Sequence, residues 1–406
     1  MDRRWTELRD SVGLEPGLAY LNTGSQGPTP RPALERARRW LEDEARRGPS
    51  SPRVGAAGEE ILAAARERLA ALVGSPPEGL ALTFSTSQGM ALAAQALNLG
   101  PGDEVILTDQ EHSGGLLPWY ALARWRGVRL RWARSEYGPG GAVLPERLPG
   151  QIAALVTPRT RAISLSHVSF CTGARLPVAE VAEVARRAGA ALVVDGAQSV
   201  GAIPVDVEAM GCDFYAFPGQ KWLLGPSGTG GLYIGRHRLQ GDLALPFAGY
   251  MSVGSYDVEG GFEAKPGAGR FEQAGYNPGL WAALDEAAGV LAGLGRGPLS
   301  PAALAPVAER SAGLASRLKT GLLSLPGFTV VTPLEAERSA GLVAFALPPQ
   351  GPDPEAARER LAREHGIVLR TLPRPRPMLR ASLHAFNTVD EVDRLLEALA
   401  GMARGR

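Results

Sequence analysis

Between Leu80 and Lys221 the chain repeats one unit: a short apolar run, a turn of small polar residues, and an amphipathic stretch of helical length. Leu80 to Phe84, Glu104 to Thr108, Ala162 to Ser166, Ala191 to Val194 and Asp213 to Phe217 read as strands. The stretches ending at Ala96, spanning Leu116 to Trp125 and spanning Val178 to Arg187 read as helices. Runs apolar on both faces suit strands covered by helices above and below, which predicts an α/β fold with a mostly parallel sheet. Such sheets bind ligands in the crevice at the C-terminal ends of their strands. Chemistry is therefore expected in the turns at those ends: Ser85-Thr86-Ser87-Gln88-Gly89, Asp109-Gln110-Glu111-His112, His167 to Gly173, Asp195, and Pro218-Gly219-Gln220-Lys221.

Asp195 closes an apolar strand, and Lys221 follows the chain reversal at Pro218-Gly219. A lysine placed there is costly unless it has chemistry to do. A desolvated amine loses its proton near neutral pH and can bond an aldehyde, which makes it the natural anchor for pyridoxal 5'-phosphate. Of 43 basic residues only Lys221, Lys265 and Lys319 are lysines, so arginine holds nearly every position where charge alone serves. The hydroxyl-rich turn at Thr86, Ser87 and Gln88 opens a helix, where free amides and the helix dipole favour a phosphate. A serine before a helix is by itself more often a plain cap. Its place in the same series of units as Asp195 and Lys221 favours the phosphate.

The residues Asp195-Gly196-Ala197-Gln198-Ser199 and the run FPGQKWLLGPSGTGGLYI resemble the cofactor-binding core of the class V pyridoxal phosphate enzymes, the aminotransferase and cysteine desulfurase superfamily. Within it the likeness is greatest to the cystine C–S lyase and isopenicillin N epimerase-like branch. The resemblance implies fold type I, with a large cofactor-binding α/β domain and a smaller α+β C-terminal domain, assembled as a homodimer. It implies Asp195 beside the pyridine nitrogen, Gln198 on the phenolic oxygen, and Lys221 as cofactor anchor and base. His112 would stack on the cofactor ring, with Thr86, Ser87, Gln88 and Gln220 around the phosphate. Arg380, and with it Arg370, would bind the substrate carboxylate. The segment Tyr20 to Pro28, including Asn22, would border the substrate pocket.

The sequence also departs from the family. Phe170 stands where desulfurases carry an asparagine, Pro218 and Gln220 replace a serine or threonine and a histidine, and Gly275 replaces a threonine that reaches the other subunit's phosphate. The loop Thr371 to Met378 lacks the cysteine that desulfurases use to take sulfur, which leaves β-elimination on a cysteine- or cystine-like amino acid as the favoured reaction. Amino transfer to a 2-oxo acid and epimerisation are the alternatives.

The rest of the chain fills in around this core. Residues 32 to 47 read as a helix with Leu34, Ala37 and Leu41 inward, and 58 to 73 as another with Ile61, Leu62, Ala65, Leu69 and Leu72 on one face. From Phe247 to Gly275 periodicity is lost among glycines, as expected of an active-site or interface loop, and Arg270-Phe271-Glu272 matches a recurrent family sequence. Beyond Leu280 a long helical segment to Leu323 is followed by strands at 329–331, 342–347, 367–370 and 379–383, with helices at 354–365 and at the end. The expected divisions are an N-terminal segment 1–16, a large domain 17–250, and an interface loop with the small domain at 251–406. A net charge of +1 offers nothing to nucleic acid or an acidic membrane, and the charged N-terminus without an apolar run points to the cytoplasm. Cys171 and Cys212 make no disulfide framework, and no Cys/His cluster has metal-ligand spacing. The GPSGTGG run lacks the ending of a nucleotide-binding loop, and a cofactor-binding sensor without catalysis is the remaining non-enzyme reading.

Overall fold

The computed structural model describes residues 2–241, 243–295 and 297–403. Its centre is a seven-stranded sheet in the order Leu80–Thr83, Gly230–Ile234, Phe214–Pro218, Ala191–Asp195, Thr160–Ser166, Glu104–Thr108, Arg129–Ala133. Gly230–Ile234 runs antiparallel to both neighbours, and the other pairings are parallel. Six strands thus end on the same edge of the sheet. The apolar runs are strands because both faces are covered: every residue of Ala191–Asp195 and Phe214–Pro218 is buried. Helices Thr86–Ala96, Ser113–Arg126 and Val178–Ala188 occupy the predicted places, and Leu148–Leu155 was not foreseen.

Two predicted faces need correction. On the helix Arg31–Arg47, Leu34 and Leu41 are 54% and 47% exposed, and Ala33 is the buried residue. Its inward face is narrow because Ala33 and the half-buried Ala37 pack against Ala283 and Ala287 of helix Pro278–Gly293, where small residues let two helices approach closely. The long helical segment beyond Leu280 is also divided. Pro278–Gly293 ends, and Ala305–Leu323 starts anew after a 3-10 turn at Pro301–Leu304; residue 296 between them lies outside the described residues.

A second sheet of four antiparallel strands, ordered Thr329–Val330, Leu342–Ala346, Met378–Ser382, Arg370–Leu372, packs with helices Ala305–Leu323, Pro354–His365 and Val389–Ala403. The two cores do not divide at residue 250. Trp281, Leu284, Leu291 and Val307 belong to the core under the large sheet, whereas Ala19 and Leu21 join the smaller core. Ala19–Tyr20 pairs in parallel with Ile367–Val368, so the N-terminal segment ties the small unit to the cavity edge.

Segment 247–275 contains a hairpin, Val253–Tyr256 with Phe262–Ala264, and its end is anchored. Buried Glu272 pairs with Arg66 at 2.8 Å and accepts the Leu82 amide at 2.9 Å. The recurrent Arg270-Phe271-Glu272 sequence is therefore a clamp on the first strand of the sheet.

Candidate active site

The C-terminal strand ends and the small sheet enclose a cavity of about 230 Å³, whose wall includes Ser87, His112, Asp195, Gln198, Gln220, Lys221, Arg370 and Arg380. Three further turns, at Ser25, Ser85-Thr86 and Phe170, complete it. The structure thus brings together the predicted residues except two. Gln88 is turned away: its Oε1 accepts the Phe84 amide at 2.6 Å and its Nε2 donates to Gln273 at 2.7 Å. Asn22 lies behind the wall, where its Oδ1 accepts from Ser25 Oγ at 2.8 Å and its backbone bridges Ser382. Both were placed by their position in a motif, which cannot show which way a side chain turns.

Asp195 is buried, and its Oδ1 accepts the Ala197 amide at 2.9 Å. Burial pushes its carboxyl upward, against the pull of the Ala197 amide and of Lys221. Burial also lowers the Lys221 amine to about 8; Arg380 and Arg370 push the same way, and Asp195 opposes them. Lys221 is thus a desolvated lysine among cations with one acid near it, the setting of a reactive amine.

His112 caps the helix Ser113–Arg126, its Nδ1 accepting the Gly114 amide at 3.1 Å, so a neutral ring carries its proton on Nε2. Burial and the charges of Lys221, Arg370, Arg380 and Arg374 hold it down at about 4. It packs edge-on against Phe170, ring centroids 5.0 Å apart. Gln198 is fixed by Nε2 to Gly24 carbonyl and by Trp222 Nε1 to its Oε1, both at 2.8 Å, which leaves one amide proton unspent.

Arg380 is fully buried, donating to the Phe170 carbonyl at 3.0 Å and to Ser25 Oγ at 3.1 Å, while its Nε is unpartnered. Burial, then Arg370, lowers it to about 9, so it is still charged at neutral pH. Arg370 faces it directly across the antiparallel pair and reaches the same Ser25 Oγ at 3.4 Å. Like charges placed opposite one another are destabilising, and no carboxylate lies within 4.0 Å of either among the described residues. Two facing cations without a carboxylate partner in the fold favour an anionic ligand there.

The cavity also suits a phosphorylated pyridine aldehyde. Thr86 Oγ1 and Gln220 Oε1 are buried without partners, and Ser85 caps the helix Thr86–Ala96, whose first turn opens on the cavity. A methyl group at Gly114 would collide with Ser87 Oγ, so the glycine keeps the cradle open. Thr86, Ser87 and Gln220 would hold the phosphate, Asp195 the ring nitrogen, and Lys221 the aldehyde carbon.

Ser25 lies in the segment expected to border the pocket, but its link to both arginines was not foreseen, nor was a role for Glu111. The Glu111 carboxyl accepts from Ser166 Oγ at 2.7 Å and from Thr108 Oγ1 at 2.5 Å, and burial raises it to about 7. Its place before His112 was the only available signal. No cysteine lines the cavity: Cys171 and Cys212 are buried, and their thiols are pushed up, Cys171 to about 11.

Comparison with known proteins places the site in context. Residues 19–395 match the family model of class V aminotransferases. The isopenicillin N epimerase of Amycolatopsis lactamdurans is 35% identical, over 98% of this chain and 99% of its own. A cysteine desulfurase of Serratia proteamaculans is 32% identical, over 94% and 92%. The solved complex of the cystine C–S lyase C-DES with its product cysteine persulfide superimposes with a TM-score of 0.83 at 29% identity, covering 98% of this chain and 99% of that one.

Proposed function

The chain belongs to the class V aminotransferases, enzymes that work through pyridoxal 5'-phosphate, and we propose that it eliminates the sulfur group from Cβ of a cysteine- or cystine-like amino acid. The observation that carries this reading is a buried, anion-seeking guanidinium, Arg380, beside a lowered amine, Lys221, in a cavity whose wall contains no thiol.

When bound, the cofactor supplies an electron sink for the charge left at Cα as its proton departs. The chain's own residues do the rest. Arg380 and Arg370 grip the α-carboxylate and so fix which substituent of Cα faces the base. Asp195 would stand beside the ring nitrogen, where an opposite charge would keep that nitrogen protonated and the carboxylate ionised. Lys221, with a proton affinity near neutrality, takes the Cα proton. Neutral His112 would lie against the ring and offer its Nε2–H to the departing sulfur. The Cβ–S bond breaks without a protein nucleophile, in keeping with the raised Cys171 and Cys212 thiols and a 371–378 loop free of cysteine. The solved cystine lyase complex supports this direction of chemistry.

Epimerisation of an amino acid is the second reading, supported by the 35% identity to an isopenicillin N epimerase. It shares proton removal by Lys221 and differs in returning the proton to the other face. Amino transfer to a 2-oxo acid is a third. Incubation with cystine and cysteine, followed by assay of pyruvate, ammonia and alanine, separates them. Pyruvate with ammonia is expected, whereas alanine would mean transfer of sulfur to the protein. Inversion at Cα without either product would favour the epimerase, and passage of the amino group to an added 2-oxo acid would favour the transaminase. We place this activity in a homodimer in the cytoplasm; among the described residues no helix is long and apolar enough to cross a membrane.

A further inference from the structure

A third arginine lies outside the cavity wall but next to it, bonded to the residue that precedes the wall's His112. Arg374 is exposed, donates Nη2 to the Glu111 carbonyl at 3.3 Å, and is among the charges that hold down the adjacent His112. Its loop carries prolines at 373, 375 and 377, which restrict the backbone, and the guanidinium is held at the Glu111 carbonyl, one residue from His112 of the cavity wall. Like Arg370 and Arg380, it has no carboxylate within 4.0 Å among the described residues. One α-carboxylate answers the inner pair, where Arg380 and Arg370 converge on Ser25. It leaves the outer guanidinium with only a carbonyl oxygen. A cavity of about 230 Å³ that must also hold the cofactor has little volume to spare for a long substituent on Cβ, and the His112 side of its wall is where Arg374 lies.

We infer that Arg374 reads a second anionic group at the far end of the substrate side chain, so that this enzyme selects amino acids bearing a distal carboxylate. The inference rests on the reading of Arg380 as the α-carboxylate site. Arg374 is a specificity residue, distinct from the groups that move protons: it raises the affinity of dianionic substrates and leaves monoanionic ones unaffected.

The test is calorimetric titration of the cofactor-loaded enzyme with glutarate and with butyrate, which carry the same three carbons beyond one carboxylate and differ in that glutarate ends in a second. The native enzyme is expected to bind glutarate about fivefold more tightly than butyrate, the order of magnitude of an exposed ion pair, and the ratio should shrink in high salt. Arg374→Gln should bring the ratio to one with butyrate affinity unchanged, and Arg374→Glu should invert it. Equal or absent binding of the two by native enzyme would overturn the assignment. So would a ratio that survives Arg374→Gln, or an equal loss for both ligands, which would make Arg374 a structural latch on Glu111. Because binding is read without turnover, failure of the elimination assay with an intact glutarate preference would count against the reaction type alone.

Discussion

Lys221 and Lys319 are both amines lowered to about 8 by burial, yet only one is free to react. Lys319 Nζ spends its three protons on Pro333 carbonyl, Leu334 carbonyl and Ser339 Oγ, each at 2.9 Å. Lys221 faces the cavity. The same logic singles out Arg380, a buried cation whose Nε is unpartnered. Arg380→Ala is expected to raise KM steeply, costing about 2–5 kcal/mol in kcat/KM while the yellow absorbance of the bound cofactor is retained. Loss of that absorbance instead would make Arg380 a structural residue. Glu111 gives a pH prediction. Its folded value of about 7 lies above the ordinary 4.5, so the folded chain keeps a proton that the unfolded chain has released. The stabilisation is complete below the unfolded value and is lost as pH rises through about 7. Glu111→Gln stays neutral throughout. The Tm of the variant, measured against that of the native protein, should therefore climb between pH 5 and pH 8, by the equivalent of about 3 kcal/mol at most. A difference that stays flat across that range would contradict the assignment.

The proposed phosphate cradle centres on an element, the start of helix Thr86–Ala96, with Gln220 on the same cavity wall. Thr86 Oγ1 is buried and bonded to nothing in the protein, so it costs stability until an acceptor arrives. Thr86→Ala should leave the Tm of the cofactor-free protein unchanged or slightly raised, and weaken pyridoxal phosphate about tenfold by fluorescence titration. A lower Tm with unchanged cofactor affinity would show the hydroxyl to be structural. Much of this element level was legible in the sequence, because strands apolar on both faces and helices with one polar face announce themselves by period. Arg129–Ala133 was not foreseen: it is an edge strand with an exposed Arg129 and half-buried neighbours, so it lacks the continuous apolar run of the central strands. The inward face of Arg31–Arg47 was misread because leucines suggest a core, whereas contact with Pro278–Gly293 selected alanines. In the site, residue identities at strand ends were readable. The turning of Gln88 toward Gln273 was not, since it depends on a partner 185 residues away.

At the scale of the whole molecule, large apolar side chains remain outside both cores. Tyr250, Tyr256 and Phe262, on or beside the hairpin Val253–Tyr256 and Phe262–Ala264, are 71%, 79% and 54% exposed, and Leu34 and Leu41 add to them from the helix Arg31–Arg47. Tyr256 and Phe262 are direct cross-strand neighbours, and exposed aromatics side by side suit an interface, which supports the proposed homodimer. Light scattering at assay concentration should give twice the chain mass, and a fully active monomer would contradict it. The account as a whole turns on one lysine among three in a chain of 406 residues. Borohydride reduction of the cofactor-loaded protein, followed by mass mapping of its peptides, reads that directly. The pyridoxyl mass should appear on Lys221 alone, whereas label on Lys265 or Lys319, or on no lysine, would contradict the site described for this molecule.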